Sequence, residues 1–156
     1  MAINTKQVVR RELRFENESE ILAEAERLAE GSSQVLGNWS AGQIFKHLAI
    51  VMDGSIDGLK VTAPWYVRLI VPLFKKQLLS SPMRAGFRLP RRAKEVMVPR
   101  DSISIQEGIQ SLRNAVTRLN STTERKPSPV LGPMTREEWT QLHCRHAELH
   151  LGFLVL

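Results

Sequence analysis

The sequence SIQEGIQSLRNAVTRLN, residues 104–120, carries the clearest helical pattern of the chain. Its apolar residues recur at alternating steps of four and three, which places them along one face of a helix. Ser104 and Glu107 have the spacing of a capping box, so we expect the helix to start at Ser104. Such an apolar seam needs other helices to cover it, and the pattern therefore predicts a helical bundle. The seam consists of Ile105, Ile109, Leu112, Val116 and Leu119.

Three further segments show the same helical period. The first covers about residues 18–30, between an Asn17 N-cap and a glycine stop. The second follows a capping box at Ser40 and is expected to end near Gly58, and the last starts from a capping box at Thr135. Four amphipathic helices of similar length are typical of an all-α four-helix bundle. The chain has 156 residues, so we expect a single domain over residues 1–156.

The composition excludes several classes of protein. Hydrophobic residues make up 42% and charged residues 24%, which excludes a disordered chain and a coiled-coil rod. The single cysteine, Cys144, excludes a disulfide framework and a Cys-rich zinc module. The most apolar stretch, residues 64–79, is interrupted by charge and proline before it reaches the ~20 apolar residues of a spanning helix. Charge also recurs too early for a signal peptide, so we expect a cytoplasmic protein.

A long connection joins the second and third predicted helices. Residues 60–100 show no single period, although residues 64–79 could form a Pro-kinked helix. A short strand is predicted near residues 96–98, where two valines alternate with a methionine. The connection is therefore expected to be long and only partly helical.

The connection is also strongly basic, with nine Lys or Arg residues and no Asp or Glu between residues 58 and 94. One interpretation is a rim that attracts an anionic substrate or an anionic thiol, with Arg91 and Arg92 as candidates. Another is an acidic membrane surface or nucleic acid, although no zinc-finger or aromatic RNP pattern favours nucleic acid. The third interpretation is that the basic residues only form a solvent-exposed face of the connection. The basic residues are Lys60, Arg68, Lys75, Lys76, Arg84, Arg88, Arg91, Arg92 and Lys94.

All four histidines fall in two of the predicted helices: His47 in the second, and His143, His146 and His150 in the last. At 100° per residue, His146 and His150 are 40° apart, and all four lie in or beside an apolar stripe. An unpaired buried imidazole nitrogen costs about 1–3 kcal/mol, and a shared ion removes that cost for several rings. Neutral imidazole suits zinc, nickel, iron and copper. The pattern favours a metal site, with hydrogen-bonded core histidines as the alternative.

The last predicted helix does not carry the zincin motif. Ala147 follows His146 at the position where that motif requires glutamate. Glu148 lies 200° round from His146 and is expected to face solvent. Cys144, at the same angle, is expected on the outer face or between helices. The helix therefore supplies no general base beside the histidines.

Two motifs carry a resemblance to a known superfamily. Residues 37–48, GNWSAGQIFKHL, resemble the W-S-x-x-x-I-x-x-H-L signature of DinB-like proteins of the DinB/YfiT type. Residues 146–154, HAELHLGFL, resemble their C-terminal H-x-x-x-H helix. RRELRF at residues 10–15 and LGPMTREEW at 131–139 are similar to a subgroup of unknown function in that superfamily.

The resemblance implies an up-down-down-up four-helix bundle, often dimeric, here with the basic crossover between its second and third helices. It implies a divalent metal (zinc, nickel or iron) held by one histidine of the second helix and two of the fourth, which are His47, His146 and His150. Characterised members include transferases that use bacillithiol or mycothiol, and a maleylpyruvate isomerase. A metal-dependent enzyme is therefore expected, acting on an anionic or electrophilic small molecule.

The chemistry of such a site stays open between several alternatives. Three imidazoles leave the ion a free position, which suits a transferase with a low-molecular-weight thiol or a hydrolase. A non-catalytic bundle that binds metal or an anionic surface is the competing class. Gln43 lies one turn before His47, so it is either a substrate-facing amide or only part of the capping box. His143 is a candidate fourth ligand, acid/base group or polar neighbour.

Overall fold

The computed structural model describes residues 2–87, 89–99 and 102–156, and these are mostly helical. A two-stranded antiparallel ladder pairs β1 (Gln34–Val35) with β2 (Leu154–Val155). A 3₁₀ turn (Val71–Phe74) joins the third and fourth helices. The helices are α1 (Glu18–Glu30), α2 (Ala41–Asp57), α3 (Trp65–Ile70), α4 (Lys75–Ser80), α5 (Arg91–Met97), α6 (Ile105–Ser121) and α7 (Arg136–Leu151).

The four predicted long helices are confirmed as α1, α2, α6 and α7, and side chains define where they begin. The Asn17 side chain accepts a hydrogen bond from the Glu20 amide at the start of α1. Ser40 and Thr135 each form both bonds of a capping box, with the residue three positions on. These caps satisfy amides that have no partner within the helix. The register of α2 and α7, which carry the histidines, is set in this way.

The long helices contact one another in defined directions. Along α2 and α6, Lys46 meets Ser111, and Asp53 meets Arg118, so the two helices run parallel. Against α7, α2 runs antiparallel, since His47 lies by His146 and Ser55 lies by His143.

The remaining contacts join α1 to α6 and α7. Glu18 accepts from the Thr140 hydroxyl at 2.8 Å, and further along α1 the Arg11 guanidinium bridges Glu24 and the Leu151 carbonyl. Helix α1 therefore runs parallel to α7. The core lies between the four long helices and includes Ile21, Leu28, Phe45, Leu48, Met52, Leu112, Leu119, Ala147 and Leu151.

Two glycines let α2 and α6 approach closely. A Cβ on Gly42 would overlap the carbonyl oxygens of Ile103 and Ser104, and one on Gly108 would overlap the backbone of Gly42. The predicted α6 seam is buried from Ile109 onwards. Ile105, in the first turn of α6, is 36% exposed, contrary to the prediction.

The connection between α2 and α6 is partly helical, as predicted. The kinked helix over residues 64–79 is present as α3, the 3₁₀ turn and α4. The strand predicted at residues 96–98 is wrong, because α5 continues to Met97 and only Val98 is extended. Arg88 of the basic set lies outside the described residues. Within the described ranges, none of the helices combines the length and the apolar character that crossing a lipid bilayer requires.

Helix α7 is buried on more than its predicted stripe. Glu148 does not face solvent but is 7% exposed, and it accepts from the Phe15 amide and from Arg145. Arg145 in turn donates to the Phe15 carbonyl at 2.8 Å. Cys144, expected outside or between helices, belongs to the core. The reason is that the segment before α1 runs along α7 and covers the side that periodicity assigns to water.

Candidate metal centre

Three histidines converge between α2 and α7. The Nε2 atoms of His47 and His146 are 3.0 Å apart. The centroid of the His150 ring lies 4.7 Å from the centroid of His47 and 4.6 Å from that of His146. Each ring offers one nitrogen, and these three nitrogens lie within 4.8 Å of one another. The two helices run antiparallel, so one residue of α2 can face two successive turns of α7. The predicted trio is therefore brought together, and it could hold a metal ion.

The tautomer of His47 follows from its other ring nitrogen. Its Nδ1 lies 2.6 Å from the Met97 carbonyl oxygen, which can only accept a hydrogen bond. The proton therefore sits on Nδ1, and Nε2 presents a lone pair toward His146. Metal-binding histidines usually donate their second N–H to such an acceptor, which also fixes the ring orientation. No sequence pattern points to Met97, since its contact depends on the path of the connection.

Trp39 holds two of the rings in place. Its indole stacks on His150, with 5.3 Å between centroids and 3° between planes. It meets His47 edge-on at 4.9 Å. Trp39 directly precedes Ser40, the N-cap of α2, so the cap that fixes the helix also fixes the tryptophan. Aromatic contacts of this kind restrict ring rotation, and the imidazoles are oriented before any ion binds.

Burial keeps the three imidazoles neutral. It lowers the pKa of His47, although the Met97 carbonyl acts in the opposite direction. The pKa of His146 lies well below its ordinary value because of burial and the neighbouring histidines. Burial, His47 and Arg10 lower the pKa of His150 in the same way. At neutral pH each ring therefore keeps the lone pair that a metal requires.

The site is enclosed but not sealed. His47 is only 2% exposed, whereas His146 and His150 are of intermediate exposure. The most deeply buried face of α7 carries Ala147 and Leu151, so the two α7 histidines lie toward the edge of that face.

Residues 7–156 match the family described as Protein of unknown function (DUF1569). The chain belongs to this DUF1569 family. No curated protein and no solved structure shows a significant match. The family description names no reaction, so the chemistry of the site has to be argued from its residues.

His143 of this DUF1569 protein lies outside the trio. Its Nε2 is 3.3 Å from the Ser55 hydroxyl, which donates its own proton to the Met52 carbonyl. His143 Nε2 therefore donates to Ser55. The ring stacks on Trp139, and burial, with a smaller effect of Arg125, lowers the pKa of His143 to about 3. This geometry is that of a neutral, hydrogen-bonded imidazole; its candidacy as an acid/base group stays a prediction.

The other candidates named from the sequence are placed less directly. The Gln43 side-chain oxygen accepts from the Ser40 amide at 2.9 Å, so it is engaged in the capping box. Arg91 and Arg92 are exposed on α5, and Arg91 pairs with Glu95 at 3.5 Å. Helix α5 ends at Met97, the hydrogen-bond partner of His47. Roles for Gln43 in catalysis and for the two arginines as an anion rim stay predictions.

Arg10 is a residue of the site that the sequence analysis missed. Its guanidinium donates to the carbonyls of Leu149 and Met83 and lies 5.3 Å from the centre of the Phe153 ring. Its charge is close enough to lower the pKa of His150. The RRELRF segment carries a family resemblance, but nothing in its sequence shows that Arg10 is the arginine that lies beside His150. Arg10 adds a fixed positive charge beside the histidines.

Proposed function

We propose that this DUF1569 protein is a metal-dependent enzyme of the DinB-like superfamily, with His47, His146 and His150 holding a divalent ion. The observation that carries the proposal is the convergence of three neutral imidazole nitrogens from two antiparallel helices. Imidazole is a suitable ligand for zinc, nickel and iron, and catalytic zinc sites hold the ion with three protein ligands and leave one position open.

The up-down-down-up bundle is part of the same proposal. Its support is the set of pairwise directions: α2 runs parallel to α6 and antiparallel to α7, and α1 runs parallel to α7. A parallel pair of consecutive long helices needs a long crossover, and the 47 residues from 58 to 104 supply it.

The proposed reaction is transfer to a low-molecular-weight thiol, in preference to hydrolysis. An ion with a free position lowers the pKa of a bound thiol or water and polarises an electrophile. Arg10 supplies positive charge that attracts an anionic substrate or a thiolate. Trp39 and Met97 hold the rings so that the trio does not rearrange on binding. The preference for a thiol is supported by the superfamily resemblance.

The test begins with protein purified without an affinity tag. We expect isothermal titration with Zn²⁺, Ni²⁺ and Fe²⁺ to find one site in the native chain. His146→Ala should weaken it by more than about 100-fold, since even the loss of a group that merely orients a ligand costs 10–100-fold. His143→Asn is the matched control: it removes a histidine of the same helix outside the trio and should keep the site.

Folding and activity are measured on the same variants. Far-UV circular dichroism should show unchanged helix content in His146→Ala. A screen of bacillithiol, mycothiol and glutathione with electrophilic substrates should detect conjugation only in metal-loaded protein. Equal metal affinity in His146→Ala would overturn the ligand set. Metal binding without thiol or water chemistry across the screen would favour a non-catalytic metal-binding bundle instead.

A further inference from the structure

The connection between α2 and α6 presents an apolar surface to solvent. Its large side chains between Trp65 and Phe74 include pairs four residues apart, and the two members of such a pair lie near each other along a helix. By contrast Leu79, which lies further along the segment in α4, is 3% exposed and packs inward. The large apolar residues of this surface, between Trp65 and Phe74, are between 52% and 80% exposed. We call this surface the crossover face: Trp65, Tyr66, Leu69, Ile70, Leu73 and Phe74.

This arrangement is the reverse of an ordinary surface helix. An amphipathic helix of a globular protein turns its apolar stripe to the core and its polar residues to water. Here six large apolar side chains are exposed, four of them in α3 and two in the 3₁₀ turn that follows it. A contiguous exposed apolar surface of this kind marks a binding site for a protein or a membrane.

The charge around the crossover face selects between these partners. Residues 58–94 contain nine Lys or Arg and no Asp or Glu. Lys75 is paired with Glu138 of α7, whereas Arg68 and Lys76 are exposed among the apolar residues. Aromatic residues beside Lys and Arg are typical of helices that lie in the interface of an anionic bilayer.

A second copy of the chain fits this charge poorly. A two-fold dimer places the same surface against itself, so the basic residues of the two copies would meet one another. Protein interfaces are also depleted of lysine at their centres. An anionic bilayer instead supplies an apolar phase for the ring and leucine side chains and a negative surface for the flanking cations.

We propose that the crossover face docks on the surface of anionic lipid bilayers, with the helical segment lying in the interface rather than crossing it. The apolar side chains enter the acyl boundary, and Arg68 and Lys76 reach the headgroup phosphates. None of these residues belongs to the histidine trio, so the inference goes beyond the proposed metal chemistry and can fail independently of it.

The test is co-sedimentation of the full chain with vesicles at low ionic strength. We expect binding to vesicles of phosphatidylcholine with phosphatidylglycerol, little binding to phosphatidylcholine alone, and release by added salt. Leu73→Asp should weaken binding at least tenfold, as expected for about one buried leucine side chain. Val9→Asp is its control, because Val9 is 89% exposed elsewhere and Leu73 is 80% exposed. Neither change touches the core.

A second pair of variants tests the charge. Arg68→Glu should weaken binding at least about fivefold, and Arg136→Glu, an equal charge change on exposed α7 residue Arg136, should have little effect. Absence of binding to the anionic vesicles, or equal affinity of native protein and Leu73→Asp, would overturn the proposal. The proposal is also overturned if the protein does not bind vesicles but self-associates or binds nucleic acid, and Leu73→Asp abolishes that binding. The crossover face would then be assigned to that partner.

Discussion

Single imidazoles decide what the centre between α2 and α7 can do. His47 is fixed as the Nδ1–H tautomer by the Met97 carbonyl, so its Nε2 carries the lone pair and accepts from His146 Nε2 at 3.0 Å. His143 is fixed in the opposite sense, since its Nε2–H donates to Ser55. His47 in α2 and His143 in α7 therefore carry their lone pairs on different ring nitrogens. Of the two, only His47 belongs to the trio.

The buried histidine His143 makes stability depend on pH. Its pKa is about 3 in the folded chain, against an ordinary value of 6.5. As pH falls below 6.5, the unfolded chain takes up a proton that the folded chain does not, so stability is lost on acidification at up to about 1.4 kcal/mol per pH unit. Stability is fully present above the unfolded pKa. Between pH 7 and pH 5.5 we expect the free energy of unfolding of metal-free His143→Asn to fall by about 1 kcal/mol less than that of the native chain.

Denaturant unfolding at the two pH values measures this difference. The other buried histidines contribute equally to both proteins, so subtraction isolates His143. Equal losses in the native chain and the variant would show that His143 takes up its proton in the folded state.

Part of the site could be predicted at this scale. The superfamily resemblance of two short motifs implied His47, His146 and His150, and the antiparallel packing of α2 against α7 brings the three together. Met97 and Arg10 could not be named. Their contacts, with His47 and with Leu149, span 50 and 139 residues and depend on how the connection and the N-terminal segment run. No local pattern encodes those paths.

At the scale of elements, α2 and α6 approach each other closely. Gly42 and Gly108 meet there, and a side chain on either one would strike backbone atoms that cannot move independently. The contact therefore sets how closely α2, the helix that carries His47, approaches α6.

We expect Gly42→Ala to destabilise the fold by about 1–3 kcal/mol, the usual cost of overpacking. Gly54→Ala is the matched control, because Gly54 lies in the same helix but its Cβ would meet only the side chain of half-buried Leu59, which can rotate. Helix propensity favours alanine there by up to about 1 kcal/mol. Thermal and denaturant melts compare the two; equal stability of both variants would contradict the role assigned to the contact.

Helix ends were predictable and helix faces were not always so. Asn17, Ser40 and Thr135 are local signals, and each begins its helix as expected. The faces of α7 were misjudged at Glu148, since an irregular segment rather than a helix covers it. The β1–β2 ladder was missed because two residues per strand are too few to show alternation.

For the whole molecule, an ion at the trio would join α2 to α7 across 99 residues of chain. A ligand that binds only the folded state raises stability by mass action, by about 2.7 kcal/mol at 100 times Kd. For a chain of this size that corresponds to a rise in Tm of about 5–10 °C.

We therefore expect Tm to rise with free Zn²⁺ in the native chain and to stay constant in His146→Ala. Differential scanning calorimetry of metal-free and metal-loaded protein measures both. The core between the four long helices does not depend on the ion, so chelation should leave a cooperative melt. Unfolding by chelator at room temperature would make the ion a structural one instead.

The hydrogen bond from His47 to the Met97 carbonyl places one imidazole between two partners. Helix α5, at the end of the connection, holds Nδ1, and Nε2 is left for the trio. Displacement of α5 and occupation of the trio then form one closed thermodynamic cycle. If a bound ion strengthens the contact between α5 and His47, then fixing α5 in place strengthens ion binding by the same free energy. An event on the crossover and an event at the histidines are in this sense reciprocal.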